Sequence, residues 1–375
     1  MIERRFLTGF AAALISLGLV LCGLQWLFTR AGELNLSHVV ARQLAAPNGT
    51  ILFLSGVNQN AYRYKELMFD RQQPEGIAIG SSRAMEVRSD FFTLPFLSLG
   101  GSVNNLDNLE TMAAHVAAGR RLKLALIYVD PWLFNARYTD NQAPVPDYPR
   151  WISADTLSAG ARAMVHGNWV LRVFRSPNLG LHGLVNDEGY ARDGSVYYNL
   201  TGSQPADRGF ATTFDRINGD KQNFQRNSRA DPVLVSRICS AIAKVRGAAD
   251  HVVVVAPPFA SPIWRRLARP DYDYIRDGYR RLSACAGAPL FDFTDPAAIE
   301  GSNDCEFIDG LHGGDVTYAR LLRQVGERDP KVRRWLRAGS IERFVGRYGG
   351  RAGGSRLQRD PGLREADFLK LGCVK

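Results

Sequence analysis

Gly76-Ile-Ala-Ile-Gly-Ser-Ser-Arg83 is the stretch from which the fold of this chain is read most directly. Its apolar run predicts a short strand buried on both faces, and Gly-Ser-Ser marks the turn at which the strand ends. Four other runs have the same character: Leu94–Leu99, Leu122–Val129, His251–Ala256 and Pro289–Phe293. Together they predict a sheet of short, buried strands.

Segments with helical periodicity separate these strands. Apolar residues recur at helical spacing in Leu106–Ala118 and Pro232–Arg246, and more weakly in Tyr272–Ala284. Strands that alternate with helices are typical of an α/β protein with a mainly parallel sheet flanked by helices. Ligands of such sheets bind at the carboxyl ends of the strands, so the residues after each strand are the first candidates for chemistry.

The segment at about 138–229 is less regular and is rich in Gly, Asn, Asp and aromatic residues. We expect it to be a large insertion between the third and fourth strands, within the main domain and not a domain of its own.

Composition and charge exclude several classes of protein. The 375 residues are 45% hydrophobic and 22% charged, which excludes wholesale disorder and a polytopic membrane protein. The net charge is +10, and residues 326–375, with 13 Lys or Arg and 6 Asp or Glu, carry +7 of it. Their Gly/Arg-rich stretch predicts a flexible basic tail, which either contacts anionic lipid or an acidic polymer or stays solvated. Because the rest of the chain is nearly neutral, nucleic acid is not an expected partner.

The N-terminus carries a candidate membrane anchor. Phe6–Phe28 has no charged residue, and as a helix it spans about 34 Å, enough to cross a bilayer. Arg4 and Arg5 precede it, so the positive-inside rule places the N-terminus in the cytoplasm. We expect residues 1–28 to be a cytoplasmic stub and a single-pass signal anchor in the inner (cytoplasmic) membrane. A connector at 29–73 and a main domain at 74–325, periplasmic or extracellular, would follow; a cleaved signal peptide is the alternative.

Cysteine usage is compatible with export. Besides Cys22 in the apolar run, the chain has Cys239, Cys285, Cys305 and Cys373, which allow three full pairings in an oxidising compartment. Cys285 and Cys305 flank a short strand and loop and are the favoured pair. No Cys-x-x-Cys and no His/Cys cluster with zinc spacing occurs in the sequence, so neither a metal nor another cofactor is expected.

Two segments carry a candidate serine nucleophile and the residues that could activate it. Ser82 follows the first strand at a turn, ahead of a helix expected from Ala84 whose N-terminus would favour a developing oxyanion. Asp309 precedes His312 by three residues on a Gly-rich loop, so the carboxylate can hold the imidazole while the other ring nitrogen faces a serine. Taken singly, a serine helix cap and a surface histidine are the ordinary alternatives.

A third segment, Leu99-Gly-Gly-Ser-Val-Asn-Asn105, ends the second strand. Its glycines allow the backbone to approach a substrate and to donate N–H groups, although an ordinary glycine turn with an asparagine cap has the same pattern.

An early Gly-x-Ser, a glycine-rich turn after the second strand and a late Asp-x-x-His together resemble the SGNH (GDSL-like) hydrolase superfamily, over about Pro74 to Val325 with the insertion unmatched. The anchor followed by GIAIGSSRAMEV and LSLGGSVNN looks like the envelope subgroup, which includes the D-alanyl transfer protein of teichoic acid synthesis and alginate O-acetylation proteins. The resemblance implies a three-layer, flavodoxin-like domain that transfers an acyl group to a surface polysaccharide or removes it. It also implies a membrane-bound O-acyltransferase as a partner.

Carried over by position, the resemblance implies that Ser82 is the nucleophile, His312 the general base and Asp309 its orienting partner. The Ser82 amide, with that of Gly100 or Gly101, would form the oxyanion hole.

Two departures from the family pattern matter. Ser81 replaces the usual aspartate, and the Gly-x-Asn-Asp block expected after the third strand is replaced by Tyr128-Val-Asp-Pro-Trp132. Asn104 or Asn105 is the available substitute for the missing oxyanion asparagine. Arg83 and Asp130 are expected substrate contacts, with Asp130 as a cap or arginine partner the alternative. The missing asparagine keeps open a catalytically inactive scaffold that binds an acyltransferase.

Overall fold

The computed structural model of the protein describes residues 2–46, 50–58, 61–138, 148–201 and 207–374. They fall into two compact units. Met1–Gln59 and Pro146–Arg192 form the first, and Asn60–Val145 and Asp193–Lys375 form the second.

The elements of the chain are short apart from the first helix. The helices are α1 (Ile2–Ala31), α2 (Leu36–Ala45), α3 (Tyr62–Gln72), α4 (Leu106–Ala118), α5 (Ala154–His166), α6 (Trp169–Arg175), α7 (Leu181–Asn186), α8 (Ala211–Asn218), α9 (Pro232–Ala248), α10 (Ser261–Leu267), α11 (Tyr274–Cys285), α12 (Asp315–Arg328), α13 (Pro330–Arg333), α14 (Ala338–Tyr348) and α15 (Gly354–Arg359). The strands are β1 (Gly76–Gly80), β2 (Phe96–Gly100), β3 (Leu124–Tyr128), β4 (Gly189–Tyr190), β5 (Val196–Tyr197), β6 (Val252–Ala256) and β7 (Leu290–Asp292).

The second unit is built on a five-stranded sheet in the order β2-β1-β3-β6-β7. Every neighbouring pair is parallel, and the register brings Gly80 beside Gly100. All residues of β1, β2, β3 and β6 are buried, as their continuous apolar runs predict. The predicted α/β class, with a mainly parallel sheet flanked by helices, is confirmed, and the strand bounds lie within two residues of those expected.

The first unit is helical and carries α1. The helix from Arg4 to Ala31 is long and apolar enough to span a membrane, with a mean hydropathy of 2.2 in an 18-residue window of which nothing is buried. Only the end of α1 enters a core, where Phe28 and Ala31 pack with Trp169 and Leu181.

The prediction of a helix that begins at Ala84 is wrong. The chain instead makes one 3-10 turn at Ser82–Ala84. The carbonyls that would begin an α-helix have other partners, because Ala84 O accepts from Ser98 Oγ (3.0 Å) and Met85 O accepts from the Val196 amide (3.0 Å).

The prediction of a flexible tail at 326–375 is also wrong. The α14 side chains Ile341, Phe344, Val345 and Tyr348 are buried in the same hydrophobic cluster as side chains of β1, β3 and β6. They recur at the i, i+3, i+4, i+7 spacing of an amphipathic helix, which the many surrounding Gly and Arg residues obscured. The predicted domain end at residue 325 therefore falls inside α12 and ahead of part of the core.

The segment at 138–229 is not a single insertion within one domain. Residues 146–192 belong to the first unit together with the N-terminal residues, whereas residues from Asp193 onward belong to the second. The expected connector at 29–73 is likewise divided, since α2 belongs to the first unit and α3 to the second.

The cysteines pair differently from the favoured prediction. Disulfides join Cys239 to Cys285 and Cys305 to Cys373, so Cys285 and Cys305 are not partners. The first bond links α9 to α11, and the second fixes the C-terminal segment close to the loop that carries His312. The paired cysteines are 46 residues apart in the first disulfide and 68 residues apart in the second, so proximity in sequence could not indicate the pairing.

Candidate active site

The candidate site lies at the carboxyl edge of the sheet, where β1 ends. Gly80 has no room for a side chain, because a Cβ there would lie 2.8 Å from the Cβ atoms of both Ala84 and Tyr128. Ser81 then caps the 3-10 turn, with its Oγ accepting from the Arg83 amide (3.1 Å). This tight turn leaves Ser82 half-buried at the edge of the sheet.

Ser82, His312 and Asp309 meet in a hydrogen-bonded chain. Ser82 Oγ lies 2.7 Å from His312 Nε2, although 230 residues separate the two in sequence. His312 Nδ1 lies 2.8 Å from Asp309 Oδ2, so a proton on Nδ1 leaves Nε2 free to accept the serine proton. The structure thus brings together the three residues proposed from the sequence.

The carboxylate of Asp309 is held in its ionised form. Its Oδ1 accepts hydrogen bonds from the backbone amides of Leu311 and His312, both at 2.7 Å. Burial opposes ionisation, but the charge of His312 and these hydrogen bonds outweigh it and lower the pKa of Asp309 to about 2. An ionised Asp309 orients the imidazole and stabilises the imidazolium that forms when Ser82 is deprotonated.

The loop of Asp309 and His312 is closed on itself and anchored from outside. Phe307 and Gly313 form an isolated antiparallel bridge, and the Ile308 amide donates to His312 O at 2.8 Å. The Gly310 amide donates to Asp207 Oδ2 at 3.1 Å. Sequence reasoning missed Asp207, because it lies in the irregular segment with no motif around it.

Glu306 joins this loop to the C-terminal segment. It is completely buried and accepts from Arg320 Nε (3.1 Å) and from the Gly350 amide (2.9 Å). The segment that looked like a solvated tail therefore supports the loop on which His312 sits.

Arg83 and Asp130 form a buried ion pair, with Arg83 Nη1 3.0 Å from Asp130 Oδ1 and both side chains at most 1% exposed. Arg83 Nη2 also donates to the carbonyls of Pro257 (2.8 Å) and Pro258 (2.5 Å), and the guanidinium lies 4.1 Å from the centroid of the Phe259 ring. This burial contradicts the prediction that the two residues contact substrate. The alternative role of Asp130 as an arginine partner is the one observed.

The pair supports the turn beneath the nucleophile. Burial raises the pKa of Asp130, while the charge of Arg83 and a hydrogen bond from Ser81 act in the opposite direction. Through these contacts Asp130 connects the end of β3 to both neighbours of Ser82. Ser81 thereby gains a structural partner.

Gly100 and Gly101, at the end of β2, do not offer free amides. The Gly101 amide donates to Ser81 O (2.8 Å) and Gly80 O (3.0 Å), and that of Gly100 lies 3.3 Å from Ser98 Oγ. Gly100 is required for steric reasons, since a Cβ there would lie 2.4 Å from the carbonyl carbon of Ala84, and Gly101 has a left-handed backbone with φ of 84°. The prediction that they supply oxyanion donors is therefore contradicted in this geometry.

Two donors of the predicted oxyanion hole remain. Within the described ranges, the Ser82 amide has no protein acceptor, and the half-buried Asn104 side chain makes no hydrogen bond. Asn105 is engaged, because its Oδ1 caps α4 by accepting from the Asn108 amide at 2.8 Å. Of the two asparagines left open by the sequence, Asn104 is the one whose amide can turn to a ligand.

A cavity of about 430 Å³ lies at the same edge of the second unit. Its lining combines aromatic rings with amides and carboxylates: Asn105, Leu106, Asp107, Trp132, Leu133, Asn135, Ala136, Tyr138, Asp231 and Leu234. Tyr138 connects it to the turn after β2, because its hydroxyl donates to Asn104 O at 3.0 Å.

A second buried charge cluster lies near the turn and was not anticipated. Arg88 donates to Glu86 (2.9 Å), Asp315 (3.1 Å) and Ser195 Oγ (2.9 Å). Asp315 also accepts hydrogen bonds from the backbone amides of Gly354 and Ser355, both at 2.8 Å. Burial then raises the pKa of Glu86 to about 8.

Comparison of the chain with protein-family models, with curated proteins and with solved structures returned no match. Among the described residues, no group of three or more His, Cys, Asp or Glu side chains is arranged to hold a metal ion.

Proposed function

We propose that the protein is a membrane-anchored acyl-transfer protein of the cell envelope that uses Ser82 as its nucleophile. The observation that carries the proposal is the chain from Ser82 Oγ to His312 Nε2 (2.7 Å) and from His312 Nδ1 to Asp309 (2.8 Å). A serine, a histidine and a carboxylate in this order are the arrangement that activates a hydroxyl for acyl transfer.

The proposed reaction has two steps, acylation of Ser82 and transfer of the acyl group to an acceptor. Ser82 Oγ attacks the acyl carbonyl carbon of the donor while His312 Nε2 takes the serine proton, and the leaving oxygen receives that proton as the acyl-serine forms. A sugar hydroxyl or water then attacks the same carbon, gives its proton to His312 and releases Ser82, which regains its proton. A sugar acceptor makes the protein an O-acyl (acetyl) transferase, and water makes it an esterase.

A surface polysaccharide is the proposed acceptor. Aromatic rings beside amide and carboxylate groups, as in the 430 Å³ cavity, suit the faces and hydroxyls of sugars. The link from Tyr138 to Asn104 places this lining next to the proposed oxyanion donor.

The proposed location is the inner membrane, with the N-terminus cytoplasmic and the catalytic unit outside. Three features support it: the apolar α1, the two arginines before the apolar run, and two disulfides, which persist in oxidising compartments. A membrane-bound O-acyltransferase is the proposed partner, as the resemblance to envelope acyl-transfer proteins implies.

A second candidate function is a catalytically inactive scaffold that binds such an acyltransferase. The observation in its favour is the sparse oxyanion hole, because the amides of Gly100 and Gly101 are committed within the protein. Loss of one oxyanion donor costs about 10²–10³ in rate, which leaves a slow or partner-dependent enzyme equally compatible with this geometry.

Ser82→Ala and His312→Ala, each made in the full chain, separate the two functions. We expect both to abolish labelling by a fluorophosphonate probe, turnover of an aryl ester and acylation of the surface polymer, while Ser340→Ala retains all three. Aryl ester turnover that rises when a glycan acceptor is added identifies the transferase. Unchanged polymer acylation by both variants, at normal protein levels, would leave the scaffold.

A further inference from the structure

Large apolar side chains are unevenly distributed over the described surface. Apart from α1, the first unit exposes six of them: Trp151, Leu157, Met164, Val165, Leu171 and Phe174. The second unit, although larger, exposes two, Val233 and Val374. A concentration of this kind marks an interaction surface.

The exposed aromatic residues lie at one level of α1. Trp26, itself 55% exposed, packs against Phe174 with ring centroids 6.0 Å apart. Gln25 donates to Arg150 O (2.8 Å) and accepts from the Ile152 amide (2.9 Å), which holds the intervening Trp151 beside the same turn. Trp151 is nevertheless 75% exposed. At this turn the part of α1 that contacts no other described element ends, and the part that packs against the first unit begins.

Arginine side chains lie close to these aromatic rings. The guanidinium carbon of Arg30 lies 5.9 Å from the Trp26 ring centroid and 5.4 Å from that of Phe174. Residues 150–175 contain four arginines and one acidic residue, Asp155. Tryptophan and phenylalanine beside arginine are typical of the headgroup layer, where rings reach the acyl chains and guanidinium groups reach phosphate.

The helices α5 and α6 pack against the end of α1 with the sides that carry Gly160 and Trp169. A Cβ on Gly160 would lie 2.6 Å from Phe28 Cζ, and the rings of Phe28 and Trp169 are 5.0 Å apart. The inner sides of both helices thus pack on α1, while Leu157 and Leu171 are exposed to solvent and Phe174, which contacts Trp26, stays half exposed.

We propose that α5, α6 and the segment around Trp151 form an interfacial surface that lies in the anionic headgroup layer of the membrane spanned by α1. Continuity with α1 selects lipid as the occupant, because a bilayer that surrounds the helix up to Trp26 necessarily reaches Trp151 and Phe174. The inference rests on the membrane-anchor part of the proposed function and is independent of acyl transfer.

The experiment uses the full chain with Cys22→Ala and both disulfides intact, reconstituted in vesicles of phosphatidylcholine and phosphatidylglycerol. Single cysteines at Trp151, Leu171 and Val233 carry a nitroxide, and collision rates with oxygen and with a water-soluble nickel chelate are compared. We expect the chelate collision rate to be severalfold lower at 151 and 171 than at the matched exposed position 233, and oxygen to show the reverse.

A label at Leu14 separates the two ways in which the idea can fail. If position 14 is lipid-exposed while 151 and 171 are as accessible to the chelate as 233, the interfacial surface is refuted and the anchor stands. If position 14 is also accessible to water, the anchor itself is wrong. Labels that are water-exposed in pure lipid but protected in native membranes would assign the surface to a membrane protein and overturn the lipid proposal.

Discussion

Asp309 accepts hydrogen bonds from the imidazole of His312 and from two backbone amides of its own loop. Replacement by asparagine keeps the shape of this side chain but removes the charge that fixes the tautomer and stabilises the imidazolium. We expect Asp309→Asn to lower kcat for an aryl ester by about 10²–10⁴-fold, with a smaller change in KM. His182→Ala, an exposed histidine of the first unit, is the control. Equal kcat in both variants would exclude Asp309 as the residue that orients His312.

Asn104 and Asn105 form a matched pair of adjacent amides with different expected effects. If Asn104 supplies an oxyanion donor, Asn104→Ala should reduce kcat by about 10–10³-fold and leave the unfolding temperature nearly unchanged. Asn105→Ala should cost about 1 kcal/mol of stability, because it removes the cap of α4, and should spare kcat. Steady-state kinetics and thermal unfolding of both variants decide, and the reverse pattern would move the donor to Asn105.

Arg83 and Asp130 offer a test of a structural role against a substrate contact. Because the pair is buried, removing one partner leaves the other charge without compensation, and we expect Asp130→Asn to destabilise the protein by about 3–5 kcal/mol. If the protein catalyses acyl transfer, the fraction of this variant that remains folded at low temperature should have a nearly unchanged KM. A stable variant with a strongly raised KM would restore Asp130 as a substrate contact.

At the scale of elements, α14 decides whether the C-terminal segment belongs to the folded unit. Phe344 is 8% exposed, and its ring centroid lies 5.2 Å from that of Phe91. We expect Phe344→Ala to destabilise the protein by about 3–5 kcal/mol, whereas Val233→Ala at an exposed position should change stability by less than about 0.5 kcal/mol. Chemical denaturation measures both. Equal, small effects would mean that α14 does not contribute to the core.

The same reasoning predicts the result of a truncation. Removal of residues 326–375 would delete part of the hydrophobic cluster, the Gly350 amide on Glu306 and the partner of Cys305. The loop of Asp309 and His312 would lose its support, so the truncated chain should fail to fold and to react with a fluorophosphonate.

For the whole molecule, the buried Glu86 makes stability depend on pH. Its pKa rises from 4.5 to about 8 on folding, so between these values the folded state holds more protons than the unfolded state. Stability should therefore fall as pH rises from about 5 to 7, and Glu86→Gln should remove this slope. Thermal unfolding in detergent across this range is the measurement, and an unchanged slope in the variant would assign it to another group.

Lys65 sets the upper limit of the pH range in which stability falls. It is completely buried, and desolvation lowers its pKa from 10.5 to about 7. The unfolded state then binds more protons above pH 7, so this lysine makes stability rise with pH from about 7 to 10.5 and opposes Glu86 between about 7 and 8.

Local patterns in the sequence were sufficient for the elements of the sheet and for the three residues of the candidate triad. Buried strands appear as continuous apolar runs, and the Asp-x-x-His spacing is a property of a single loop. The approach of Ser82 to His312 across 230 residues was implied by the resemblance to SGNH hydrolases and not by strand geometry, because His312 lies 20 residues beyond the end of the last strand.

Only the tertiary structure decided which long-range partners these residues have. Arg83 and Asp130 bond to each other 47 residues apart, and Cys305 reaches Cys373 across 68 residues. The burial of α14 and the occupation of the Gly101 amide depend on the same packing. The physical reason is that periodicity records which face of an element is apolar, whereas the choice of partner depends on which faces the topology brings into contact.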